Sequence, residues 1–218
     1  YYVVTAVDIV SNESGYLSQV SAKPGVYITL AGSWASGTGH TKENGTSRAL
    51  VFVSHAEHTA PTSLTSVAYG GQPMTKVIDR IVTSSNTYAY VAAFILNEAN
   101  VAAATNSTFV PTWSATPANA AGYASVFLGN VDQATLVGAS DSNGTTTLDP
   151  IKTNPLSTIN RDMVIEAATC GNAGSYTLNG GFTEGIDQAM ASSTGVTGHK
   201  AATGAGADRP DSRPAEYC

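Results

Sequence analysis

Charge is the scarcest commodity in this sequence. Asp, Glu, Lys and Arg make up only 12% of its 218 residues, about half the roughly 25% usual in soluble domains. Ten basic residues face sixteen acidic ones, for a formal net charge of -6. No basic patch interrupts the chain, so nucleic acid is not an expected partner. Long apolar runs are missing too: none reaches the roughly 18 residues of a membrane span. There is no internal repeat of fixed period and no linker that divides the chain. It lacks an initial Met and a basic segment leading into an apolar one, and so reads as a mature chain whose export signal is gone. Cysteine occurs only at positions 170 and 218. An even pair in an exported protein suggests one Cys170–Cys218 disulfide. Two free thiols, or a Cys218 paired between subunits, are the alternatives.

What is present is a β-protein's composition. Hydrophobic residues supply 42% of the chain, enough for a real core, and Ser, Thr, Asn and Gly supply the polarity. Such a surface suits a secreted or cell-surface protein, and it lacks the charge that keeps soluble monomers apart.

Residues 1–10 read YYVVTAVDIV, without Gly or Pro and rich in β-branched and aromatic side chains. That is a strand by propensity and length. One face carries Tyr1, Val3, Thr5, Val7 and Ile9; the other carries Tyr2, Val4, Ala6, Asp8 and Val10. Both are largely apolar, so the segment wants burial on two sides. Either it is the first strand of its own sandwich, or it completes the sheet of a neighbouring subunit.

Further strands are expected at 16–20, 25–30, 47–55, 64–69, 72–78, 87–96, 109–113, 121–128, 134–139, 163–169 and 175–178. Weaker ones are expected at 188–192 and 196–201. Residues 47–55 (SRALVFVSH) are apolar on both faces and fit a central position. Gly70-Gly71 signals a hairpin with a primed turn. A second hairpin is expected around Asn179-Gly180-Gly181, closing onto Phe182. Residues 31–45 form a loop whose Trp34 folds onto the core, and 97–104 hold one or two helical turns. From 202 the chain turns polar, with two prolines and no strand-like run. Many short strands with Gly, Pro and Asn punctuation indicate an all-β fold, a single jelly-roll-like β-sandwich. The expected organisation is an N-terminal strand over 1–12, a sandwich over 13–205 and a polar tail over 206–218.

Several stretches share a look: SRALVFVSHAEH (47–58), LTSVAYGGQPMTKV (64–77), AGYASVFLGNVDQATLVGA (121–139), and residues 162–182 with 198–204. Together they resemble a widespread class of uncharacterised bacterial extracellular β-sandwich domains, across about residues 25–205. The resemblance implies secretion and a sandwich, and no catalytic residues. Members of that class close with another apolar strand after the stretch GHKAATGA, whereas this chain enters its polar tail. A missing closing strand would leave an open edge, which residues 1–10 of another copy could fill. Repeated head to tail, that contact builds a fibre. The other outcome is that the chain's own first strand fills the gap.

Sites of chemistry are few. His55, Glu57 and His58 (HAEH) invite a metal, but on a strand His58 points away from the other two, no further ligand is near, and the helical HExxH pattern is absent. Asp141-Ser142-Asn143-Gly144 begins like a calcium loop without the later acidic ligand. No GxSxG surrounds a serine, and Gly32-Ser33-Trp34 lacks an elbow's flanks. His40 and His199 fall in Gly/Thr-rich loops without an Asp partner. Glu166 sits within a strand, where an outward side chain is the commoner case. Asn12, Asn44, Asn106 and Asn143 each begin an Asn-x-Ser/Thr sequon in an expected turn, where a glycan would fit. Trp34, Trp113, Tyr88, Tyr90 and Tyr123 could form a sugar platform, although Tyr88 and Tyr90 share an apolar face suited to a core.

The sequence thus leads to a non-enzymatic, secreted structural protein without cofactors. It would polymerise head to tail by donor-strand exchange with identical subunits, with Tyr1, Val3, Thr5, Val7 and Ile9 as the donor side chains. The rival is a monomeric adhesion or carbohydrate-binding module at the cell surface.

Overall fold

The computed structural model describes residues 26–116, 121–144, 151–152, 156–172, 174–202, 206–208 and 211–214. Residues 1–10, Asn12, the expected strand at 16–20 and Cys218 lie outside the described residues.

The elements, in chain order, are β1 (Thr29–Leu30), β2 (Ala35–Ser36), β3 (Ala49–His58), β4 (Leu64–Tyr69), β5 (Gln72–Pro73), β6 (Thr75–Ser84) and β7 (Thr87–Leu96). A short helix, α1 (Glu98–Ala103), precedes β8 (Phe109–Trp113) and β9 (Gly122–Gly129). Then come β10 (Ile151–Lys152), β11 (Leu156–Thr158), β12 (Met163–Cys170), β13 (Tyr176–Leu178), β14 (Thr183–Met190), β15 (Ser193–Ala201), β16 (Gly206–Asp208) and β17 (Asp211–Pro214). The fold is all-β and sandwich-like, with antiparallel pairing throughout the described sheets.

The central sheet has the order β1-β9-β3-β7-β6, with β2 also on β9. Its middle strand β3 is apolar in sequence on both faces, and all ten of its residues are buried. Alternation in the pleat divides them. Leu50, Phe52 and Ala56 join Tyr90, Phe94 and Phe127 in a core shared with Leu64, Val67 and Tyr69 of β4 and Phe109 of β8. Ala49, Val51 and Val53 join Ile95, Val126 and Leu128 in a second core, on which Met163, Ile165 and Ala167 of β12 pack. A sheet therefore lies on each face of the central one: β5-β4-β8 on the first, β12-β15-β14 on the second. The far face of β12 is buried in turn, with Ala168 and Cys170 against Tyr176 and Leu178 of β13.

Turn chemistry fixes the connections. Gly70 and Gly71 both hold positive φ, at 53° and 84°, and join β4 to β5 as the sequence implies. Gly70 is doubly required, since a Cβ there would stand 2.5 Å from the Asn106 carbonyl oxygen. Helix α1 starts where Asn97 caps it, its side chain accepting from the Asn100 N–H at 2.9 Å. Arg48 then clamps Glu98 of the first turn, with two guanidinium nitrogens and its backbone N–H all donating to the carboxylate.

Several expectations are corrected. Residues 134–139 form no strand; Asp132 Oδ1 accepts the Ala134 N–H at 2.9 Å and Gln133 donates to the Arg48 and Val131 carbonyls. The Asp132 side chain thus takes the Ala134 N–H that a ladder would use. The Asn179-Gly180-Gly181 turn exists, but β13 pairs with β17 and β14 with β15, so it links two sheets rather than closing a hairpin. The two weak strands are the long pair β14 and β15. The polar tail also contributes structure. β16 pairs with β11, and β17 lies between β10 and β13. Backbone bonds alone can recruit such polar residues into a sheet, which hydrophobic pattern does not register.

Substituting Gly70→Ala is expected to cost about 2–4 kcal/mol, from the left-handed backbone and the close approach together. Ser85 holds a φ of 54° in the β6–β7 turn, so Ser85→Gly is expected to stabilise by up to about 1 kcal/mol. Urea unfolding of both variants beside the parent measures the two shifts.

Candidate functional site

Two places gather polar residues singled out by sequence, and the structure adds a third. The first is the end of β3. His55 and Glu57 face the β12-β15-β14 sheet. His55 Nδ1 lies 2.9 Å from Thr169 Oγ1, and its ring fills the space beside Gly195, where any Cβ would collide with it. Glu57 Oε1 accepts from Ser192 Oγ at 2.8 Å. His58 points the other way, against the rings of Tyr90 and Trp113 at centroid distances of 6.3 and 5.2 Å. His55, Glu57 and His58 are all buried within the strand. Among the described residues, no three His, Cys, Asp or Glu side chains come together as a metal site.

Burial decides the protonation of these rings. His55 is driven down to about 4 by desolvation, and the same cause lowers His58 despite the opposing charge of Glu57. Both rings are thus held neutral at pH 7; His55 bonds between sheets and His58 packs against aromatic rings.

The second place is the loop before β3. His40 is buried, with Nδ1 2.8 Å from Ser125 Oγ and Nε2 3.8 Å from Glu43 Oε1. A histidine between a serine and a carboxylate has the composition of a nucleophile–base pair. Ser125, however, is fully buried on β9 and the His40 ring stands edge-on to Phe127, so a substrate has no approach to the hydroxyl. His199 is not in a loop but on β15, where its Nδ1 accepts from Trp34 Nε1 at 3.3 Å. Trp34 does fold back, onto the second core. Glu166 is buried, against the expectation of an outward side chain.

The third place was not legible as a site. A cleft of about 430 Å³ opens beside β6, lined by Pro61, Thr62, Ser63, Asp79, Arg80, Ile81 and Tyr90. Tyr90 Oη donates to Asp79 Oδ2 at 2.9 Å and accepts the Leu64 N–H at 3.2 Å. Burial raises the Asp79 carboxyl, but hydrogen bonds from Lys76 and Tyr90 outweigh it and hold it below its ordinary value. The outer side of β6 is unpaired among the described residues. The signal available in sequence was the β-branched run Ile81-Val82-Thr83, which favours a strand.

The remaining expected residues are dispersed. Asn44, Asn106 and Asn143 are exposed; Asn106 Oδ1 accepts the Thr108 N–H and Asn143 Oδ1 the Gly144 N–H, at 2.9 and 2.8 Å. Cys170 ends β12, buried, and is not a free thiol. Of the five proposed platform rings, Tyr90 is buried in the first core, with Trp113 and Tyr123 packed on it and bonded to each other at 3.0 Å.

The neutral His55 gives a pH prediction. Its pKa falls from 6.5 in the unfolded chain to about 4 in the fold, so the unfolded state binds more protons between those values. Stability is therefore full above pH 6.5 and declines as pH falls toward 4, by about 3 kcal/mol from this group. His55→Asn, which cannot titrate, is expected to be less stable at pH 7 but to lose less between pH 6.5 and 4 in denaturant titrations. No family of known proteins, no curated protein and no solved structure matches this chain.

Proposed function

We propose that this protein is a secreted structural subunit that polymerises into an extracellular filament by donor-strand exchange. The observation that carries this reading is the ten-residue strand β6, open along its outer side among the described residues and flanked by a cleft. Residues 1–10 are the counterpart: ten residues of strand-forming sequence, apolar on both faces. An unpaired edge offers a row of backbone donors and acceptors, and an extended segment satisfies them by joining the sheet. Burying Val3, Val7 and Ile9 at roughly 1.5–3 kcal/mol each, together with Tyr1, would make a durable junction. The buried histidines and serine described above are structural in this reading, and the protein works by assembly rather than by chemistry. A Cys170–Cys218 bridge belongs to the same proposal, as a clamp on a chain that works outside the cell.

A monomeric carbohydrate-binding module has less support. Tyr90, Trp113 and Tyr123, which a sugar platform would need, are committed to the first core and to one another.

Negative-stain electron microscopy of the purified chain, beside a version without residues 1–10, tests the reading. Fibres are expected from the first and single particles from the second. Fibres from both would remove residues 1–10 from the assembly, and particles from both would end the filament reading.

A further inference from the structure

We propose that the acceptor for residues 1–10 is the outer edge of β6, occupied by a second copy in an antiparallel register that sets Asp8 beside Arg80 and Val7 beside Ile81. This rests on the filament reading and specifies its junction.

The two edges of the central sheet are unlike. On one, β9 carries only the two-residue strands β1 and β2, at Leu128–Gly129 and Ala124–Ser125. On the other, β6 runs for ten residues. The chain enters the sheet at β1, on the edge opposite β6. Between them lie β9, β3 and β7, a span of about 19 Å at the usual strand spacing. A copy that donates from its β1 side and accepts on its β6 side makes two different surfaces meet, and that contact propagates rather than closing on itself as a symmetric dimer would.

Side-chain matching sets the register. Cross-strand pairs place Ile81 with Tyr90, and Asp79 with Ala92, on the first-core side, while Arg80 with Val91 and Val82 with Ala89 face the second-core side. In the proposed register Val7 and Ile9 enter the first-core side, where the cleft lies and where Ile81 is 38% exposed. Asp8 falls on the Arg80 side, and Arg80 has no acidic partner in an ion pair among the described residues. Ala6, a small residue, falls opposite Val82, where Gly144 packs so closely that a Cβ on it would collide.

Directly opposed residues in an antiparallel pair bring their Cβ atoms to about 4.5–5.5 Å, close enough to cross-link with slight adjustment. The full chain carrying Val7→Cys and Ile81→Cys is oxidised and run on a non-reducing gel, beside the unsubstituted protein with Cys170 and Cys218 alone. A reductant-sensitive ladder of covalent oligomers is expected, and a covalent dimer from an equal mixture of the two single variants. A cross-link within one monomer would show that the segment returns to its own edge and would overturn the proposal. Fibres without any cross-link would overturn this acceptor while leaving donor-strand assembly in place; absence of fibres from the unsubstituted protein would end both. In a second pair of variants, Arg80→Glu is expected to raise the critical concentration for fibres up to about fivefold, and Asp8→Lys added to it to restore the parental value. A critical concentration unmoved by Arg80→Glu would overturn the register.

Discussion

A strand buried along its whole length on both faces is the constraint that organises this protein. β3 has no solvent side, so it cannot belong to a two-layer arrangement with one wet face. It needs a sheet above and a sheet below. The first core supplies large aromatic rings around Phe52, and the second supplies small and branched residues around Val51 and Val53. Part of the polar end of β3 finds partners inside the stack, where a buried polar group without one is costly, although both His58 ring nitrogens stay without a hydrogen bond. Thr169 answers His55 and Ser192 answers Glu57. These bonds are directional where packing is not, and they fix how the β12-β15-β14 sheet sits against the central one.

That second interface explains which parts of the fold were legible in the sequence. β3, β4, β7, β8 and β9 announce themselves through runs of apolar and β-branched residues, and their bounds follow the pattern closely. The strands that carry the first core are therefore marked in the sequence. β15 is not, because it is built from Ser, Thr and Gly. Its glycines are not defects in a weak strand. Gly195 leaves the space that the His55 ring occupies, and Gly198 leaves the space for the Leu178 side chain. On β14, Gly185 does the same for Trp34, whose ring would lie 2.6 Å from an added Cβ. In each case a large side chain of a facing element enters a socket made by a missing one. A sequence reading scores such a glycine as loss of propensity, since the residue that justifies it lies far along the chain. The same distance hides the sites: Thr169 is 114 positions from His55, and Pro61 meets Ile81 only across a cleft.

The two edges of the central sheet show how the fold manages exposed backbone. Short strands leave little for a stranger to pair with, and β1 and β2 are two residues each. β6 is ten residues long and is guarded by other means. A bulge interrupts its register between Lys76 and Ile78, and its charges follow closely. Lys76 and Asp79 neutralise each other at 2.8 Å, so Arg80 is the β6 charge left without an ion pair among the described residues.

Among the described residues, the charge pair and the bulge guard only the first half of β6, and beyond it Gly144 packs on Val82. From Ile81 to Ser84 the edge has no charge, no proline and no bulge, and the cleft opens at Ile81 and Tyr90. Edges left bare invite indiscriminate pairing in a protein meant to stay single. A chain with 12% charged residues does little elsewhere to prevent it. A pattern that blocks one half and leaves the other open does not exclude every partner; it restricts the register in which a partner can sit. A strand added along β6 must clear the bulge, place any acid near Arg80 and send apolar side chains toward Ile81. In the proposed assembly, that selectivity would separate an edge that assembles from one that aggregates.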